Sequence, residues 1–259
     1  MRYFLDISYK GTNFHGWQIQ PNAESVQETI EKALSIILRE PISITGAGRT
    51  DTGVHARKMY AHFDLFKTIP DKSKLLLSLN KLIGPEIAIK DLIPVNDTDH
   101  ARFDAIKRSY KYFVTYSKDP FIKEYVWQSP TDLNLEKMNE AAGMLLNIED
   151  FTSFAKLHSD VKTNLCDVSF AKWQKIKDDP EASDFIGKSF DGLVFTITAD
   201  RFLRNMVRAI VGTLVEVGRE KLSLEGFQNI IEGKNRSLAG TSMPAQGLFL
   251  WDISYPFLP

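Results

Sequence analysis

The sequence predicts an α+β protein made of two mixed α/β halves, each an antiparallel sheet flanked by helices. Three observations carry that prediction. Short segments with the two-residue alternation of half-buried strands recur along the chain. Segments with the period of amphipathic helices lie between them. The pattern starts afresh at Lys107, so residues 1–104 and 105–259 read as an N-terminal and a C-terminal half. A chain of 259 residues, 43% of them hydrophobic, has enough apolar surface to bury a core.

Arg2 to Tyr9 places Tyr3, Leu5, Ile7 and Tyr9 on one side and opens the first half as a strand. In Glu24 to Leu38, Val26, Ile30, Ala33, Leu34, Ile37 and Leu38 fall at helical spacing, with Asn22 as N-terminal cap. Ile42 to Thr45 reads as a short strand running into Gly46, Ala47 and Gly48, whose glycines permit a tight or left-handed backbone. Tyr60 to Phe66 and Ile87 to Pro94 are further strands, separated by a helix over Ser73 to Leu82. In the second half Tyr110, Tyr112, Val114 and Tyr116 alternate on one strand face, Leu135 to Leu146 is helical and Gly192 to Ala199 is a strand. The acidic stretch Asp178 to Asp184, with Pro180, reads as a solvated loop dispensable for chemistry. Phe202 to Val217 is a long helix and Gly247 to Ser254 a closing strand. Asp-Ile-Ser-Tyr occurs at 6–9 and again at 252–255, too short a match to establish a duplication.

Composition narrows the class. Cys166 is the single cysteine, so no intrachain disulfide is possible and a cytoplasmic location is the default. The amino terminus lacks the apolar stretch of a signal peptide, so no segment is expected to be removed. The apolar run Ala209 to Val217 is broken by Glu216, preceded by Arg208 and too short to span a bilayer, so no membrane role is expected. A net charge of −1 does not announce a nucleic-acid partner, which turns attention to local clusters.

The most informative local stretch is Gly46-Ala-Gly-Arg-Thr-Asp-Thr-Gly-Val-His-Ala56. It sets Asp51 on a glycine-flanked polar loop that a substrate can approach closely. An aspartate in such a turn ordinarily bonds its own backbone. Beside a cation such as Arg49 it is instead a candidate carboxylate nucleophile or base. Gly46 and Gly48 lack the Lys-Ser/Thr ending of a P-loop, so no nucleotide triphosphate is expected. Seven residues lie between His158 and Cys166, and His55 with His62 lacks an HExxH arrangement, so neither a metal site nor any cofactor is expected.

The string Gly48-Arg-Thr-Asp-Thr-Gly-Val-His-Ala56 resembles the signature of the TruA-type tRNA pseudouridine synthases. Tyr9-Lys-Gly-Thr-Asn-Phe-His-Gly-Trp-Gln18, His100-Ala-Arg-Phe103 with Tyr110-Lys-Tyr112, Phe202 to Gly212, and Pro244 to Leu248 resemble its other motifs in order, over nearly the whole chain. The resemblance implies a pseudouridine synthase fold with a central cleft, a homodimer, and isomerisation of uridine in the anticodon stem-loop just 3′ of the anticodon, at positions 38–40. It also implies that Asp51 is catalytic, that Tyr110 stacks on or orients the target base, that Arg208 pairs with Asp51, and that Leu248 borders the uracil pocket. Thr52, where alanine is common, and the segment Gly240 to Pro244 depart from the family pattern without removing an assigned group.

Other side chains are read from the residues themselves. Arg102, Lys107, Arg108 and Lys111 form a basic cluster suited to phosphate, with Asp104 the nearby acid and solvated surface the alternative. Arg204 and Arg208, at i and i+4, point from one helix face over an apolar stripe of Leu203, Val207, Ile210, Val211 and Leu214. Tyr112 and Tyr116 are expected to pack. Of the histidines, His15 in the amino-terminal motif is the one expected to face RNA, and Arg49 is expected to fill the space left by an extruded base. Asp51 attacks ribose C1′, attacks uracil C6 or removes the C2′ proton, and the residues leave these open. Two other classes compete: a non-catalytic RNA-binding module using strand aromatics and basic residues, and a glycosidic hydrolase, which usually needs two carboxylates where the signature offers one.

Overall fold

In the computed structural model, which describes residues 1–156, 162–187 and 190–258, the first alternating segment is strand β1 (Arg2–Tyr9), with Tyr3, Leu5, Ile7 and Tyr9 all buried. Helix α1 (Val26–Leu38) follows, capped by Ser25, whose side chain accepts from Glu28 N. This corrects Asn22 as the cap. Asn22 sits in the left-handed region at φ 59°, while Ser25-Val-Gln-Glu28 has the Ser-x-x-Glu spacing of a capping box. Strand β2 is only Thr45–Gly46, and β3 (His55–Asp64) begins earlier than the alternation suggested. Helix α2 (Lys72–Leu82), capped by Asp71, packs on α1 and on β4 (Ile87–Val95).

The second set of elements opens with β5 (Lys107–Thr115), flanked in parallel by the short β6 (Trp127–Gln128). Helix α3 (Leu135–Met144), β7 (Val168–Lys175), α4 (Pro180–Ile186) and β8 (Gly192–Ala199) follow, giving an antiparallel β5-β8-β7 sheet. Helix α4 replaces the expected solvated loop: Asp179 accepts from Ala182 N as its cap and Pro180 occupies the first turn, where its missing N–H costs nothing. Helix α5 (Met206–Gly218) starts later than expected because Asn205, at φ 64°, cannot continue a right-handed helix backward. Phe202, Leu203 and Arg204 therefore lie outside it, and Arg204 does not share a helix face with Arg208. Of the thirteen residues of α5, only Arg208 and Glu216 escape full burial, so the helix is apolar nearly all round rather than striped. It packs on α3 and on α6 (Leu224–Glu232), which buries Phe227, Ile230 and Ile231. The last strand, β9 (Leu248–Ser254), pairs in parallel with β3 through His55 to Phe249 and Ala56 to Leu250.

Two compact units result. Met1–Ile106 with Phe249–Pro259 holds the strand order β4-β1-β3-β9, and Lys107–Leu248 holds β5, β8 and β7. The last strand joins the first unit because β9 extends the edge of β3. Among the described residues, the parallel pairings of β3 with β9 and of β5 with β6 stand beside antiparallel ones, so the pairing is mixed.

One buried histidine ties the end of the first unit's sheet together. His62 Nδ1 accepts from Ala101 N at 3.1 Å, and burial, reinforced by the nearby Arg2 and His100, pulls its imidazole down to about 4 from an ordinary 6.5. The neutral ring is thus the folded form, so its contribution to stability is complete above pH 6.5 and is lost as pH falls toward 4. Melting curves between pH 8 and 4 are expected to show a stability loss in that window which His62→Gln, neutral throughout, largely removes; identical pH profiles would refute this.

Candidate active site

The loop carrying Asp51 is held from two directions by the segment that follows β1. Tyr9 and Thr50 share a buried hydroxyl bond of 2.8 Å, and Trp17 N donates to Thr50 O at 3.3 Å. Gly53 N donates to Phe14 O at 3.3 Å, Val54 N closes a turn on Asp51 O at 3.1 Å, and Gly11 N donates to His55 Nδ1 at 3.1 Å. The His55 ring is buried and stacked on Phe249 at 4.5 Å, so it supports the loop rather than facing substrate. The two segments approach so closely that a Cβ on Gly11 would lie 2.0 Å from Val54 O, and one on Gly16 would lie 2.4 Å from Thr50 O. Gly16 also has φ +90°. Asp51 itself is half-buried, with Arg49 and His15 exposed in the same unit. The arrangement presents a carboxylate on a backbone whose position is fixed before substrate arrives.

Gly16→Ala combines left-handed strain with contact against the backbone of Thr50 and Asp51. It is expected to lower stability by about 2–4 kcal/mol and activity by at least tenfold through displacement of the Asp51 loop. Thermal melting and turnover measured together check this, and an unperturbed enzyme would refute it.

In the second unit, Tyr110 is half-buried on β5, and the Phe202 ring meets it edge-on at 5.0 Å. Tyr112 is fully buried, its hydroxyl donates to Pro244 O at 3.0 Å, and burial pushes the phenol upward, keeping it a neutral donor. Tyr116 is half-buried. Leu248 is buried, immediately after Gly247, where a Cβ would strike the Tyr112 ring at 2.7 Å. Arg208 Nε donates to Met243 O at 2.6 Å while Met243 N donates back to Arg208 O at 3.1 Å. The segment around Gly240 to Pro244, singled out as a departure, is a strap over α5: a Cβ on Gly212 would lie 1.9 Å from Thr241 O, and Asn205 and Arg236 both donate to Ser242 Oγ.

The basic cluster divides. Arg102 is exposed in the first unit, whereas Arg108 donates to Asp200 O at 2.7 Å and Arg204 is exposed in the second. Lys111 is corrected: it is 4% exposed, with Nζ at 2.6 and 2.8 Å from the Asp179 carboxylate and 3.0 Å from Glu181. It is an internal counterion, not a phosphate contact. Among the described residues no group of three or more His, Cys, Asp or Glu is arranged to hold a metal ion; His158 lies outside them. No described helix is long and apolar enough to cross a membrane.

A family model described as tRNA pseudouridine synthase matches residues 141–256. A Parabacteroides distasonis protein named tRNA pseudouridine synthase A is 53% identical over 255 residues, covering 98% of this chain and 96% of the relative. The chain belongs to this family. Proteins of the same name in Bacteroides thetaiotaomicron, 51% identical over 98% of this chain and 91% of the relative, and in Bacillus subtilis, 37% identical over 98% and 99%, are similar along their whole length. Within this tRNA pseudouridine synthase family member, the supports missed from sequence are Thr50, Gly11, Gly16 and His55, which hold the Asp51 loop. The two glycines inside the amino-terminal motif were the available signal. They admit close backbone approach, but only the fold identifies the segment they approach.

Proposed function

We infer that this chain isomerises uridine to pseudouridine in tRNA, with Asp51 as the catalytic carboxylate. The supporting observation is the pinned loop that carries a half-buried Asp51 in a chain 53% identical to a protein of that name. In the reaction the C1′–N1 bond breaks, the uracil turns, and a C1′–C5 bond forms. N1 gains a proton and C5 loses one to water, with no net oxidation. Asp51 serves as nucleophile or base, and Arg208 is assigned as its cation. Tyr110, held edge-on by Phe202, stacks on the extruded base, and Leu248 borders it. Arg49 fills the vacated space, while His15, Arg102, Arg108 and Arg204 face the phosphate backbone. The enzyme acts in the cytoplasm as a homodimer, on uridines at positions 38–40 of the anticodon stem-loop. Mapping of carbodiimide-modified pseudouridine on tRNA incubated with the protein tests the position: stops confined to 38–40 support it, and stops only elsewhere contradict it.

A further inference from the structure

At the far end of β1 and β3 from the Asp51 loop, the chain displays an aromatic ring on a rigid turn. Phe103 is 75% exposed. An apolar ring left in water forfeits the burial that drives folding, and surface loops ordinarily carry polar side chains instead. The turn beneath it is nonetheless fixed at every residue. His100 Nδ1 accepts from both Arg102 N and Phe103 N, at 3.1 and 3.3 Å, and Asp104 accepts from His100 N at 2.7 Å. Ala101 is fully buried, its N–H bonded to His62 and its carbonyl to the Tyr255 hydroxyl. The Phe103 ring lies 4.3 Å from the His100 ring, and the Arg102 guanidinium stands over it at 5.8 Å.

We propose that Phe103, with Arg102, is a stacking platform for an unpaired nucleobase of the tRNA, remote from the target uridine. The inference rests on the tRNA reading above. A ring held by its own backbone loses little freedom on binding, so stacking is not offset by ordering. The guanidinium over the same ring supplies the fork that grips phosphate or stacks on a base. His62, against His100, lies seven residues along β3 from His55, which adjoins the Asp51 loop, or roughly 20 Å away. The platform therefore reads a different part of the tRNA from the catalytic loop and acts on affinity, not on the chemical step.

The test uses the full chain and an unmodified tRNA transcript, comparing wild type, Phe103→Ala and Phe103→Trp. Loss of one stack is expected to raise KM and the filter-binding Kd of Phe103→Ala about tenfold, with kcat and Tm unchanged and Phe103→Trp restored to wild-type affinity. Unchanged KM and Kd in Phe103→Ala beside an active wild type would overturn the proposal. If wild type binds tRNA but forms no pseudouridine, the proposed activity fails, and the Kd comparison still decides the platform. If Phe103→Ala lowers the mass of the RNA-free protein in light scattering, the ring covers a second copy of the chain, and the RNA assignment is overturned.

Discussion

Asp51→Asn is expected to reduce single-turnover isomerisation by on the order of a thousandfold or more, as removal of a nucleophile or base does elsewhere. The same substitution is expected to leave tRNA affinity and Tm near wild type. The loop's support comes from backbone groups and neighbours: Thr50 bonded to Tyr9 and Trp17, Gly53 to Phe14, and the Asp51 carbonyl to Val54 N. None of these requires a charged Asp51 side chain. The amide keeps the shape, loses the negative charge and exchanges one acceptor oxygen for a donor, so a defect confined to the chemical step separates catalysis from positioning. A matched fall in affinity and stability would instead make Asp51 a structural residue of its turn.

Lys111→Met is expected to cost about 3–5 kcal/mol of stability, because it leaves the Asp179 carboxylate buried without its cation. For a chain of this size that corresponds to roughly 10 °C or more in Tm. The double variant Lys111→Met with Asp179→Asn is expected to recover much of the loss, since asparagine still caps α4 and no charge remains stranded. The KM for tRNA of the folded single variant is expected to match wild type. A phosphate-contacting lysine would give the opposite pattern, a raised KM at unchanged Tm, so melting and kinetics on one preparation discriminate between the two roles.

The strands were legible where apolar residues recur at every second position, whether or not the other face is also buried. Tyr3, Leu5, Ile7 and Tyr9 declare β1 although Phe4 between them is also buried, and Gly192–Ala199 emerged with its bounds unchanged. Helix ends were less legible. Asn22 and Ser25 are both capping residues by type, and only the Glu28 spacing favours Ser25. Asp179-Pro180 is likewise a helix start, but its acidic composition reads as a solvated loop until Lys111 is seen beneath it. The onset of α5 depends on a left-handed Asn205, a conformation that its sequence neighbours do not dictate.

The site was legible in part for a similar reason. A glycine-flanked aspartate beside an arginine marks a place where a carboxylate can be presented, and the motif order supplied the family. Distinguishing Lys111 from Arg102 was beyond sequence alone. Both are cations in one basic stretch, but Lys111 lies on a strand face covered by the Asp179 cap and Arg102 on an exposed turn. Long-range pairing, not local chemistry, decides which charge meets solvent.

The most direct test of the central claim is tritium release from tRNA carrying [5-³H]uridine, using purified wild-type protein and the Asp51→Asn variant. Release by wild type, and background release by Asp51→Asn that still binds the tRNA, is the predicted result. Release by both would remove Asp51 from the chemistry. Binding without release by either would mean that this carboxylate loop belongs to an RNA-binding protein rather than to an isomerase.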